Sequence, residues 1–173
     1  MGRPSCGICS WHRVNRPMRI IVHDYAGHPF QVQLSRALAA RGHGVLHLYC
    51  GSTHTPRGEL ERRADDPPGF DIRGISLGEM IPKDKFVKRF RMERDYGKLL
   101  VRECLPWRPD VVLSANTPSV SQHQLARACR QSGIRQAWWI QDIYGLAAQR
   151  LLRKKLPIVG DLVGRFFTRL DQQ

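Results

Sequence analysis

Residues 19–45 read Arg19-Ile-Ile-Val-His-Asp-Tyr-Ala-Gly27-His-Pro-Phe-Gln-Val-Gln-Leu-Ser-Arg-Ala-Leu-Ala-Ala-Arg41-Gly-His-Gly-Val45. They divide into a strand, a turn, a helix and the start of a second strand. Ile20, Ile21 and Val22 are a short β-branched run of the kind buried on both faces of a parallel sheet. Gly27 and Pro29 mark the turn. Phe30, Leu34, Leu38 and Arg41 then recur at i, i+4, i+8 and i+11, so the spacing predicts a helix carrying that stripe in an Ala- and Leu-rich background. Gly42-His43-Gly44 stops the helix, and Val45-Leu-His-Leu-Tyr49 predicts the next strand. A βαβ unit of about 30 residues is expected to cross over right-handed.

Outward from this unit the alternation repeats. The loop Cys50-Gly-Ser-Thr-His-Thr-Pro-Arg-Gly58 is small and polar, and open α/β sheets bind ligands at the carboxyl ends of their strands. Asp65-Asp-Pro-Pro-Gly69 has turn composition, which outweighs a metal site built on its paired carboxylates. Phe70 to Ile75 predicts a third strand. Residues 83–105 predict a long basic helix, weakened by Gly97. Arg108-Pro-Asp-Val-Val-Leu-Ser114 predicts a fourth strand and Asn116-Thr-Pro118 a loop. Ser119 or Ser121 is expected to cap a helix through Leu125, Ala126 and Cys129, which ends at Ser132-Gly133. Ala137-Trp-Trp-Ile-Gln141 predicts a fifth, apolar strand, and 156–170 a last amphipathic segment. The order implies an α/β fold, a Rossmann-like parallel sheet with helices on both faces, over 18–173. Residues 1–17 read as an unstructured leader, with Met18 the natural start of the fold.

Charge sets the chain apart from an ordinary globular domain. Its 28 Lys and Arg against 15 Asp and Glu give +13 and a pI near 10.3. Such a surface favours anionic membrane, nucleic acid or phosphorylated substrates, unless it is merely a generic basic surface. No nucleic-acid recognition motif accompanies the charge, so nucleic acid is the disfavoured partner. Five scattered cysteines imply no disulfide framework and a reducing compartment. Cys6-Gly-Ile-Cys9 with His12 falls short of four ligands, so no metal is expected. No apolar run approaches the length of a membrane span, and the first 17 residues lack a signal core. No G-x-G-x-x-G follows the first strand, which disfavours a dinucleotide held as dehydrogenases hold it; no cofactor is expected.

A parallel sheet would bring two groups of residues to one edge. Asp24, Tyr25, Gly27 and His28 follow the first strand; Gln141, Asp142 and Tyr144 follow the fifth. Asn116, after the fourth strand, belongs with them as a cleft residue. A carboxylate facing a glycine loop across the switch point suits deprotonation of a hydroxyl beside a phosphorylated ligand. Asp24 and His28 equally read as caps of the first helix or its turn, His23 as a packed core histidine, and Asp142 as a helix cap. In the basic helix, Lys85, Phe86, Lys88, Arg89, Phe90 and Arg91 read either as a face lying on an anionic bilayer or as the solvated side of a packed helix.

Positions 21–43, with Arg108-Pro-Asp-Val-Val112 and Trp138-Trp-Ile-Gln-Asp-Ile-Tyr-Gly145, resemble the N-terminal domain of a GT-B glycosyltransferase. The likeness is to the retaining, family-four group that builds bacterial exopolysaccharide or lipopolysaccharide, and it spans roughly 18–170. It implies a domain that binds a lipid-linked or saccharide acceptor, while a second domain binds the nucleotide-sugar donor. It also implies a cytoplasmic protein, peripheral at the inner membrane face, with the Gly27 loop at the inter-domain cleft. Gln141 stands where many members carry a His, so the acid–base role passes to Asp142. The donor domain is absent from these 173 residues. The expectation is therefore an acceptor-side half, from a truncated or split gene and inactive alone. The alternative is a non-catalytic basic module on anionic membrane or nucleic acid.

Overall fold

The computed structural model describes residues 16–55 and 58–139, together with 164, 165 and 169. Its elements are β1 (Arg19–Asp24), α1 (Pro29–Ala40), β2 (Gly44–Cys50), β3 (Phe70–Ile75), α2 (Phe86–Cys104), a 3-10 turn (Leu105–Trp107), β4 (Val111–Ala115), α3 (Ser119–Gln131) and β5 (Arg135–Trp139). The strands form one sheet in the order β3-β2-β1-β4-β5, and every pairing is parallel. This is the expected Rossmann-like α/β architecture. The order reverses between β1 and β4, so the crevice of such a sheet opens at their carboxyl ends.

Side-chain alternation divides the core in two, because successive strand residues point to opposite faces. Ile20, Val22, Val45 and Phe70 pack with Val32 and Ala39 of α1. Ile21, Leu46, Leu48 and Val112 pack with Met92, Tyr96 and Leu100 of α2 and Leu125 and Cys129 of α3. β1 is thus covered on both faces, as its β-branched run required.

Three expectations need correction. The buried face of α1 is Gln31, Val32, Ser35 and Ala39, not the stripe from Phe30 to Arg41. The sheet beneath it presents His47, whose Nδ1 lies 2.8 Å from Ser35 Oγ, so a small polar residue faces inward. Phe30, at the helix start, stays exposed. Gly97 does not weaken α2 but packs it: a Cβ there would stand 2.9 Å from Ser121 Cα and 2.8 Å from Gln124 Oε1 of α3. Neither Ser119 nor Ser121 caps α3, which begins after Pro118 without a side-chain cap. Ser121 instead donates to the Glu93 carbonyl and links the two helices. β5, read from the sequence as an apolar strand, is the outermost strand among the described residues, and its Trp138 and Trp139 are exposed.

The leader through residue 15 and the segment 156–163 lie outside the described residues. The Asp65–Gly69 turn is present, and Asp66 accepts from Arg36 Nε and from the Arg63 amide. Arg36 holds its carboxyl below the usual range.

Candidate functional site

β1, β2 and β4 deliver their loops to one cleft of about 390 Å³, lined by Tyr25, Ala26, His28, Thr53, His54, Thr55, Ile81, Pro82, Lys83, Arg89 and Asn116. Its first wall comes from the turn after β1. Asp24 is fully buried, and its Oδ1 accepts from the Ala26 amide at 3.2 Å while Oδ2 accepts from the His28 amide. A carboxylate spanning two amides in this way closes the turn that leads into α1, whose first turn has no side-chain cap. Gly27 adopts φ 77°, a conformation that favours glycine, within that turn.

The loop after β2 is tied to the same turn. Thr55 Oγ1 donates to the Ala26 carbonyl at 2.7 Å, and the Gly58 amide to the Gly27 carbonyl at 2.8 Å. The Ile81 amide donates to the Ser52 carbonyl at 2.8 Å, which brings Pro82 and Lys83 to the far wall. Arg89 completes that wall. Its Nε donates to Glu93 Oε1 at 2.7 Å, and burial pushes the Glu93 carboxyl up against that pairing.

Asn116 closes the cleft from β4. It stands at φ 52°, and its Nδ2 lies 3.4 Å from Asp24 Oδ1 and 3.3 Å from His28 Nδ1. Behind it Thr117 meets the buried His23: Thr117 Oγ1 is 3.0 Å from Nδ1, and Tyr96 OH is 2.8 Å from Nε2. Thr117 also donates to the Ala115 carbonyl. One proton assignment satisfies all three contacts: His23 Nδ1–H donates to Thr117, and Nε2 accepts from Tyr96. Burial, with His47 adding to it, pushes the His23 pKa down to about 3, which keeps the ring neutral. His23 is thus the packed core histidine its position in the strand suggested.

His28 is the chemically equipped residue of the cleft. Its imidazole is partly exposed, with Nδ1 3.4 Å from the buried Asp24 carboxylate. Asn116 Nδ2, a donor, lies 3.3 Å from the same Nδ1, so the ring carries its proton on Nδ1 when Nδ1 donates to Asp24 and on Nε2 when Nδ1 accepts from Asn116. In the first form Nε2 is a proton acceptor. The ring also stacks on Phe30 at 5.3 Å between centroids, and Phe30 reaches Trp139 at 6.0 Å, so aromatic surface borders the imidazole.

Of the expected cleft residues, Tyr25, His28 and Asn116 therefore line the space, while Asp24 and Gly27 shape the turn behind it. Gln141, Asp142 and Tyr144 lie outside the described residues. β5 pairs with β4, so the loop that faces the Gly27 turn across the reversal is that of Asn116. Lys83 and Arg89 escaped notice as cleft residues because they come from the entry and first turn of α2, far from any strand end in sequence. In the basic helix, Lys85, Phe86, Lys88 and Arg91 are exposed; Phe90 is half-buried, and Arg89 belongs to the cleft. Among the described residues no cluster of His, Cys, Asp and Glu could hold a metal ion, and no helix is long and apolar enough to cross a membrane.

No family model matches the chain, and no curated protein matches its sequence. Solved structures do resemble it. The C-terminal domain of a hydrogenase from Pyrococcus furiosus, in two crystal structures, is 19% and 20% identical, with TM-scores of 0.52 and 0.51. The matches cover 70% and 72% of this chain and 90% and 95% of those domains. What they share with it is the fold. A glycosyltransferase of kitacinnamycin matches at TM-score 0.48 and 15% identity, over 89% of this chain and 38% of that one.

Proposed function

We propose that the chain is the acceptor-side domain of a glycosyltransferase that moves a sugar from a nucleotide-sugar to a lipid-linked or saccharide acceptor in cell-surface polysaccharide synthesis. The observation that carries this reading is the cleft at the β1/β4 reversal, where a carboxylate-backed imidazole stands beside hydroxyl and amide side chains. Thr53, Thr55 and Asn116 supply hydrogen bonds of the kind that orient a sugar hydroxyl. His28 Nε2 is suited to take its proton, and the exposed rings of Phe30 and Trp139 suit the apolar face of a pyranose. The resemblance of residues 21–43 and 138–145 to family-four enzymes supports the same reading and adds Asp142 as an acid–base candidate. Donor binding falls to a second domain. The basic entry to α2 would hold the domain against an anionic, cytoplasmic-side membrane.

The test is sugar transfer by the protein as its native cell makes it, with labelled nucleotide-sugars and membrane extract. Asn116→Gly relieves the positive φ while deleting the amide, and transfer is expected to fall about tenfold or more without loss of stability. His28→Ala and Asp142→Asn compare the two candidate bases. Full transfer rates in all three variants would sink the proposal.

A further inference from the structure

Two walls of the cleft differ in kind. On the β1/β4 side stand His28 and Asn116, the hydroxyl-handling groups. From the β2 loop and the entry to α2 come His54, Lys83 and Arg89. Among the described lining residues there is no carboxylate. Glu93 lies behind Arg89 and fixes its Nε. The acids nearest to Lys83 in the chain, Asp84 and Glu79, are both exposed, and Glu79 is held by Lys88. Lys83 itself has no carboxylate partner among the described residues. A recess lined by a lysine and an arginine, and by no acid among the described lining residues, is electrostatically matched to a phosphoryl group.

We infer that the Lys83–Arg89 wall is a phosphate-binding subsite, so that the ligand of this cleft carries a phosphate group. This rests on the reading of the cleft as an acceptor site, and it assigns that acceptor's chemistry: a hydroxyl toward His28 and a phosphate ester toward Lys83. The phosphate comes either from a soluble sugar phosphate or from a lipid headgroup. Met80 and residues 83–88, all exposed, adjoin the same wall, which leaves the second source sterically open.

The test is calorimetric titration of the full chain with a hexose 6-phosphate, the same hexose unphosphorylated, and inorganic phosphate as competitor. In parallel, vesicles of phosphatidylglycerol in phosphatidylcholine are compared with phosphatidylcholine alone. The variants are Lys83→Glu and, as a charge-matched control on the exposed surface of α3, Arg127→Glu. The expected result is that Lys83→Glu weakens the phosphorylated probe by about tenfold while Arg127→Glu leaves it within about twofold. Competition by inorganic phosphate is expected too. Hexose-phosphate binding with this pattern supports a soluble source, and phosphatidylglycerol binding with the same pattern a headgroup. Equal weakening by both variants would overturn the subsite in favour of diffuse charge. Equal binding of the two hexoses would overturn it while leaving the acceptor reading intact. Binding of neither phosphorylated probe would overturn it outright.

Discussion

At the scale of single residues, polar groups inside the core set both the site and its response to pH. His23 and His47 are buried and held neutral, with pKa values pushed down by burial to about 3 and about 4; a neighbouring His47 and Arg36, respectively, add to the effect. Their folded values lie below the ordinary 6.5, so the unfolded chain binds more protons in between. Stability is therefore full above pH 6.5 and falls as pH drops toward 4 and 3. Between pH 7 and pH 5 each ring is expected to remove about 2 kcal/mol. Glu93, pushed up by burial, acts with the opposite sign, so a variant is needed to isolate one ring. His23→Gln keeps polar atoms near Tyr96 and Thr117. Urea unfolding at pH 7 and pH 5 should show a pH dependence about 2 kcal/mol shallower in this variant than in the natural protein. An unchanged slope would mean that His23 is not the neutral, buried group described. These residues were legible in part. Its place inside the first strand marked His23 as a core histidine, but its link to Thr117, 94 positions away, depends on the β1–β4 pairing.

At the scale of elements, order and type followed from punctuation and periodicity, because Gly42, Gly133 and the β-branched runs act locally. Facing did not. The inward side of α1 depends on His47 across the interface, and the role of Gly97 depends on how closely α3 approaches. A local reading charges Gly97 with a helix penalty of about 1 kcal/mol. The contact with Ser121 and Gln124 reverses the sign. Gly97→Ala is accordingly expected to destabilise the fold by about 1–2 kcal/mol, since overpacking outweighs the gain in propensity. A thermal melt should show a midpoint lower by about 3–6 °C. A raised midpoint would mean that α2 and α3 separate at no cost. The cleft was half legible for the same reason. Strand ends announce themselves as loops, whereas Lys83 and Arg89 arrive from a helix entry that only the tertiary path brings to the strand ends.

At the scale of the molecule, the +13 charge and the exposed apolar side chains occupy overlapping ground. Met80, Phe86 and Val87 are 41%, 50% and 63% exposed, among Lys83, Lys85, Lys88 and Arg91. Apolar tips within a basic ring suit the proposed attachment to an anionic bilayer, because area burial and charge add. Phe86→Ser with Val87→Ser should lower sedimentation with phosphatidylglycerol vesicles about tenfold, with the melting midpoint nearly unchanged. Equal binding by variant and natural protein would remove the apolar contribution. The sheet order carries one more consequence, in time rather than space. β1 is made first yet lies at the centre, and α1 and β2 can fold onto one side of it as soon as they emerge. Its other side waits for β4. The roughly 60 residues between Cys50 and Val111 take about 3–12 s to synthesise at ordinary ribosomal speed. Throughout that interval Ile20 to Asp24 present an open row of amides and carbonyls, a template for any neighbouring nascent chain on the same messenger. The pairing of β1 with β4 is thus the late step of synthesis, and the one that leaves a central strand half-paired until it occurs.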